Sequence, residues 1–218
     1  MSLERLGRLR EGVYRFAGVG FSYPTAELLD AAGSTILVLD DVGLFDYAFA
    51  LPVVEAAQAL AEADLEDLKG AYAALFEAGV GGAACSPHAT AYVADPRTGE
   101  VARMQAALRA IYRRFGFGDA IGSADMVDHI AAEMEVMARL CADEMRRRAE
   151  DDDPTTAVRR QHEFVTGCLE PWIPTFTRRV AAADRHRAYT ALASAVHAFI
   201  EHERELIPAL LSPVGCRS

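Results

Sequence analysis

Apolar residues recur at three- and four-residue steps along most of the chain, which is the spacing of one face of an α-helix. The clearest stripe consists of Leu65, Leu68, Tyr72, Leu75 and Phe76. Asp64 before it is a suitable N-cap, and Gly79 after it is a typical helix stop. The pattern therefore predicts a helix over residues 64–76.

The same spacing predicts further helices elsewhere in the chain. They cover roughly residues 3–17, 98–115, 125–148, 158–169 and 183–207, with loops at 79–96, 116–124 and 150–155. Alternating strand patterns are nearly absent, and residues 35–39 (TILVL) are the one segment considered as a short strand. The pattern predicts an all-α fold, in one helical domain that spans residues 1–218.

Composition and charge narrow the class of protein. The chain has 218 residues, of which 51% are hydrophobic, and this excludes a disordered tail, a collagen-like fibre or a disulfide-stapled miniprotein. Thirty-two acidic residues against 22 basic ones give a net charge of −10. Such a charge disfavours nucleic acid or an anionic membrane as the main partner and favours a basic one.

The chain carries no predicted secretion signal or membrane span. Charged residues interrupt residues 1–20, and four acids interrupt the most apolar stretch, residues 34–61. The four cysteines are widely spaced and form no CxxC pair. These observations predict a cytoplasmic protein with reduced thiols.

No pattern for catalysis, cofactor binding or metal binding stands out. The glycine-rich residues 79–85 lack the Lys-Ser/Thr ending of a phosphate-binding loop, and no Glu lies three residues before a His as di-iron bundles require. We therefore predict no cofactor and no metal. One alternative stays open, a small helical enzyme that uses His129 with Asp128 or Glu133 as an acid–base pair.

Two segments carry unusual side chains. Asp125, Asp128, Glu133 and Glu135 surround His129 beside several methionines. They form either a capped helix start with a solvated face or an acidic groove for a peptide that carries arginines and apolar residues. The second segment contains Trp172 between two prolines, either as a core plug at a helix entry or as part of a pocket.

Several short motifs follow one another in a specific order. They are Tyr14-Arg-Phe-Ala with Phe21-Ser-Tyr23-Pro24, Tyr72-Ala-Ala-Leu75-Phe76, Ser86-Pro87-His88 to Tyr92, Asp125–His129 with Glu133–Met137, and His162-Glu-Phe164 with Trp172-x-Pro174-x-Phe176. In this order they resemble the TorD/NarJ family of redox-enzyme maturation proteins, from about residue 14 to 195. The family's Glu-Pro-x-Asp-His motif reads Asp125-Met126-Val127-Asp128-His129 here, so that only Asp128 and His129 match outright.

The resemblance implies a single-domain helical bundle of the TorD-like type without enzymatic activity. It implies a system-specific cytoplasmic chaperone for a molybdopterin oxidoreductase of the dimethyl sulfoxide reductase family. Such a chaperone binds the apo catalytic subunit, or its twin-arginine leader, and assists cofactor insertion, assembly and proofreading before export. The resemblance allows either a monomer or a swapped dimer.

The resemblance and the side-chain chemistry together predict a set of partner-binding residues. They are Tyr72, Phe76, Asp125, Asp128, His129, Glu133 and Trp172. We expect Asp128 to offer its carboxylate to a guanidinium group of the partner, and His129 to bond the peptide or to order the loop after Gly116. Tyr72, Phe76 and Trp172 are expected to form or back an apolar wall.

Overall fold

The computed structural model describes residues 2–77, 83–118, 121 and 126–212, and this part of the chain is helical without a strand. Its helices are α1 Leu3–Gly20, α2 Ala26–Asp41, α3 Ala50–Ala61, α4 Leu65–Phe76, α5 Thr90–Val93, α6 Glu100–Phe115, α7 Ile130–Ala149, α8 Thr155–Phe164, α9 Ile173–Ala183 and α10 Ala188–Leu211. A 3₁₀ turn at Leu44–Asp46 precedes α3, and a π-helical turn at Val165–Leu169 continues α8. The all-α prediction is confirmed.

The interpretation of residues 35–39 as a short strand is wrong, because these residues lie inside α2. The Thr25 side chain caps the start of this helix by accepting the Leu28 N–H. Leu28, Ala32 and Leu39 then recur at helical steps on its buried face. The hydroxyl of Thr35 donates to the Ala31 carbonyl at 2.8 Å, so this β-branched residue fits within the helix.

Two predicted helix starts are also corrected. The helix predicted to start at residue 125 begins at Ile130, because residues 126–129 are non-helical and pair with the loop before α5. The helix predicted to start at residue 183 begins at Ala188. There the Asp184 side chain accepts the N–H groups of His186 and Thr190, which separates α9 from α10.

Helix α1 packs against α7. Among the described residues, this is the most extensive contact between two helices. Gly7 permits this approach, since a Cβ atom there would lie 2.5 Å from Cγ of Met145 on α7. The inner face of α1 buries Leu9, Val13 and Tyr14. Helix α10 packs mainly on α3 and α9, and buried residues from all of these helices form one hydrophobic core.

A charged residue sits within this core. Arg10 of α1 is buried, and its guanidinium donates to both carboxylate oxygens of Glu203 at 2.7 Å and to Glu144 at 2.9 Å. Gln161 of α8 accepts a further bond from the guanidinium at 2.6 Å. The group thus links α1 to α7, α8 and α10.

None of the helices in the described residues combines the length and the apolar character needed to cross a membrane.

Candidate functional site

The loop before α5 is fastened to the segment that leads into α7. The Ala89 N–H donates to the Asp128 carbonyl at 2.9 Å, and the Ile130 N–H donates to the Pro87 carbonyl at 2.9 Å. On the other side, the Cys85 N–H donates to the Leu75 carbonyl of α4 at 2.8 Å. We call the region where residues 85–90 meet residues 126–130 the junction. Its backbone hydrogen bonds connect α4, α5 and α7.

The carboxylate of Asp128 is the polar centre of this junction. Oδ2 accepts the Thr90 hydroxyl at 2.6 Å and the Thr90 N–H at 3.2 Å. Oδ1 lies 3.1 Å from Nδ1 of His88 and accepts the Gln105 amide at 3.2 Å. Asp128 itself is fully buried. Its carboxylate is thus occupied by groups from the loop, α5 and α6.

Burial alone would raise the pKa of Asp128, but the hydrogen bonds from His88 and Thr90 outweigh it and hold this pKa well below its usual range. Asp128 is therefore ionised and internally satisfied. The expected contact between Asp128 and a partner guanidinium stays a prediction, and such a contact would require one of these internal donors to be exchanged.

His129 forms the N-cap of α7, since its Nδ1 accepts the Ala131 N–H at 3.1 Å. Its ring meets the His88 ring edge-on, with the centroids 5.2 Å apart. Burial and the neighbouring His88 lower the pKa of His129 to about 4, although Asp128 opposes this shift. The imidazole is therefore neutral near pH 7.

The side chains of Glu133 and Trp172 form a hydrogen bond. The indole N–H of Trp172 donates to Oε2 of Glu133 at 3.1 Å, and both residues are fully buried. Burial raises the pKa of Glu133 well above its usual value, and the negative charge of Asp128 adds to this rise although the indole bond opposes it. The surroundings of Glu133 therefore favour the neutral form of its carboxyl group.

The predicted aromatic residues belong to one chain of ring contacts. The ring centroids of Tyr72 and Phe76 lie 5.2 Å apart, and those of Phe76 and Phe176 lie 6.2 Å apart. Phe176 in turn lies 5.3 Å from Trp172. At the other end Tyr72 contacts Tyr23 at 5.5 Å, and Tyr23 is 52% exposed. The chain of rings therefore runs from the surface to the buried Glu133.

The structure thus brings Asp128, His129, Glu133 and Trp172 to one junction, with Tyr72 and Phe76 connected to it through Phe176. Asp125 lies outside the described residues. Sequence reasoning missed the partners of Asp128, which are His88, Thr90 and Gln105. The signal for two of them was present, because His88 and Thr90 lie in the Ser86–Tyr92 motif.

No group of three or more His, Cys, Asp or Glu residues in the described ranges could hold a metal ion. Cys85, Cys141 and Cys168 are free thiols. Burial raises the pKa of Cys168 to about 12, so its thiol is protonated near neutral pH.

Comparisons with known proteins address the family directly. No curated protein sequence matches the chain. A solved structure with the same fold is that of a candidate redox enzyme maturation protein from Archaeoglobus fulgidus. It has a TM-score of 0.51 and 21% identity, over 91% of this chain and 93% of that one. The family model described as nitrate reductase delta subunit matches residues 43–178, which is more than half of the chain.

This match confirms the resemblance to the TorD/NarJ family. It covers α3 to α8 and the first half of α9, including every predicted site residue that the structure describes. The chain therefore belongs to the nitrate reductase delta subunit family, whose members are molybdoenzyme maturation chaperones and not enzymes.

Proposed function

We propose that this protein binds the apo catalytic subunit of a molybdopterin oxidoreductase of the dimethyl sulfoxide reductase family and holds it open until the cofactor is inserted. The observation that carries the proposal is the family match over residues 43–178. In this proposal the chaperone acts in the cytoplasm, contacts the subunit or its twin-arginine leader, and delays export of incomplete enzyme.

The acid–base alternative is not supported by the geometry of its residues. Nδ1 of His129 is used in capping α7, and the carboxylate oxygens of Asp128 accept bonds from Thr90, His88 and Gln105. A general base needs a free lone pair within reach of the substrate proton. His129 and Asp128 instead hold the junction together. Glu133 keeps a free oxygen, but its side chain bonds to Trp172, and the bond that links it to His129 is a backbone one within α7.

Charge and exposed aromatic surface support the proposed partner. A twin-arginine leader joins a basic stub to an apolar run, and the net charge of −10 attracts the basic part. Tyr23 offers an exposed ring backed by Tyr72, where an apolar segment can pack. In the proposal, the surface around Tyr23 contacts the apolar part of the partner.

The test is to delete the gene in its own host and to measure molybdenum in the catalytic subunit of the molybdoenzyme. We expect the subunit to be present but poor in cofactor, because prematurely closed or exported forms accumulate without the chaperone. Reintroducing the wild-type gene should restore the metal content. Normal molybdenum content together with normal activity in the deletion strain would refute the proposal.

A surface variant tests the proposed contact more locally. Tyr23→Ser should reduce recovery of the catalytic subunit with the tagged chaperone several-fold, whereas Phe45→Ser should not. Phe45 is a matched control because it is similarly exposed, at 58% against 52% for Tyr23, and lies beyond the far end of α2. Equal recovery with both variants would remove Tyr23 from the contact surface.

A further inference from the structure

Asp128 and Glu133, the two buried acids of the junction, differ in whether both carboxyl oxygens accept a hydrogen bond. Both oxygens of Asp128 accept bonds from protein donors. Glu133 uses Oε2 for Trp172, but its Oε1 is buried without a hydrogen-bond partner among the described residues. A buried polar atom without a partner costs free energy, so such an atom in a native protein calls for an explanation, of which a bound partner group is one.

A pocket of about 190 Å³ reaches Glu133 from the surface. It lies between α5, α6 and the π-helical turn, and its apolar lining includes Val93, Met104, Leu108, Ile111 and Pro171. The volume equals that of about six liquid waters, enough for the end of one long side chain. π-helical turns are rare and often occur at functional sites.

The electrostatics of the pocket favour a cation. None of its lining residues is basic, and Glu133 forms no ion pair within the described part of the chain. Asp128 adds a negative charge nearby, because its pKa lies well below the usual range. A cation bound at Glu133 would favour the ionised form of this carboxyl group, which burial disfavours while the pocket is empty.

We propose that this pocket receives an arginine side chain of the partner polypeptide, with its stem against Met104 and Ile111 and its guanidinium on Oε1 of Glu133. The geometry suits arginine because its aliphatic stem packs on apolar walls while its head donates several hydrogen bonds. The proposal rests on the proposed chaperone function. It moves the guanidinium contact expected at Asp128 to Glu133, whose second oxygen is unused.

Trp172 makes the proposal directly testable, because it is the only tryptophan in the chain and its indole N–H bonds Glu133. The single indole ¹H–¹⁵N resonance therefore reports on the hydrogen bond to this carboxyl group, and binding of the probe to Glu133 should change it. Titration of the full-length protein with N-acetyl-arginine amide should shift this resonance saturably. N-acetyl-norleucine amide, which has a similar stem without the cation, should shift it far less.

Two variants localise the effect. Glu133→Gln keeps an acceptor for the indole and should weaken binding of the arginine probe about tenfold, through loss of the charged hydrogen bond. Ala107→Phe fills the mouth of the pocket from an exposed position on α6 and should abolish the shift. A wild-type response in Ala107→Phe, or no saturable response in the wild type, would overturn the pocket.

Recovery of the apo catalytic subunit with each variant separates this inference from the proposed function. Loss of recovery in both Glu133→Gln and Ala107→Phe would support the pocket as the partner's arginine site. Full recovery in both variants would overturn that role while leaving the chaperone function standing. Failure of recovery with the wild type, despite a saturable probe response, would count against the chaperone function and not against the pocket's chemistry.

Discussion

At the residue scale, Asp128 and Glu133 are both buried acids near the start of α7, yet their surroundings differ. Asp128 is surrounded by donors from His88, Thr90 and Gln105, whereas Glu133 has one donor, Trp172. At Asp128 the hydrogen bonds to the charged form outweigh burial and lower the pKa, whereas at Glu133 burial outweighs the single indole bond and raises the pKa. The first acid organises the junction, and the second keeps binding capacity.

Asp128→Asn should lower the free energy of unfolding by about 3 kcal/mol at pH 7. The amide replaces one acceptor by a donor that would face Thr90 or His88, so at least one charged hydrogen bond is lost. Urea denaturation followed by circular dichroism measures the change. Asp40→Asn, at an exposed position of α2, is the control and should change stability by less than about 0.5 kcal/mol. Equal effects of both changes would contradict the organising role of Asp128.

His129 makes the stability of the protein depend on pH in a defined window. Its pKa is about 4 in the folded protein and about 6.5 in an unfolded chain. The unfolded chain binds more protons between these values, so the contribution is complete above pH 6.5 and is lost as pH falls toward 4. His129→Asn keeps a side-chain acceptor for the α7 cap without titrating. Between pH 7 and 4 the wild type should lose about 2–3 kcal/mol more than this variant, and parallel curves would contradict the shift.

Sequence reasoning reached the residues of the junction but not their roles. Asp128, His129, Glu133 and Trp172 were identified as candidates, and they do meet in space. Their burial could not be predicted, because a polar residue after a loop is equally compatible with an exposed cap and a buried one. Only the tertiary position of His88 and Thr90 decides between them.

At the element scale, the helices with clear caps were predicted best. The prediction of 64–76 corresponds to α4, where Asp64 accepts the N–H groups of Glu66 and Asp67. The prediction of 98–115 corresponds to α6, which ends at Gly116 in a left-handed conformation. Helices α2, α3, α5 and α9 were not predicted, although Thr25 caps α2, and α5 lies inside the predicted loop at 79–96. The prediction of 158–169 covers α8 and the π-helical turn, but its apolar spacing gave no sign of the π geometry.

The buried charge of α1 also had a sequence signal that was not used. Glu203 lies on the apolar stripe of α10 with Phe199, Ile200 and Ile207, and Arg10 lies on that of α1. A lone charge on an apolar face predicts either a functional site or a buried partner. In this structure Arg10 and Glu203 are each other's buried partners.

Arg10→Met should destabilise the protein by about 3–5 kcal/mol, because Glu203 and Glu144 would remain buried without their cation. Arg8→Met on the same helix is the matched control. Its pair with Glu4 is 62% and 68% exposed, so its loss should cost less than about 1 kcal/mol. Thermal unfolding of both variants provides the measurement. Similar melting temperatures for the two would show that the buried network adds no stability.

At the scale of the whole molecule, the order of short motifs predicted more than any single motif did. Each motif is weak alone, but their sequence from Tyr14 to Phe176 predicted the family that the match over residues 43–178 then confirmed. Physical patterning gave the helical class and the acidic character independently. Neither could give the client enzyme, because the identity of a partner depends on the partner's own surface.

A chaperone that holds an open client should distinguish the apo subunit from the completed one. In the proposed function cofactor insertion closes the subunit, and a binding protein shifts such an equilibrium only by its differential affinity for the two forms. We therefore expect the tagged protein to recover at least about tenfold more catalytic subunit from molybdate-starved cells than from replete cells, a difference of about 1.4 kcal/mol. Quantitative mass spectrometry, normalised to the total subunit in each lysate, measures this ratio. A ratio near one would mean that binding does not sense the cofactor, and the protein would then act on localisation of the subunit and not on its maturation.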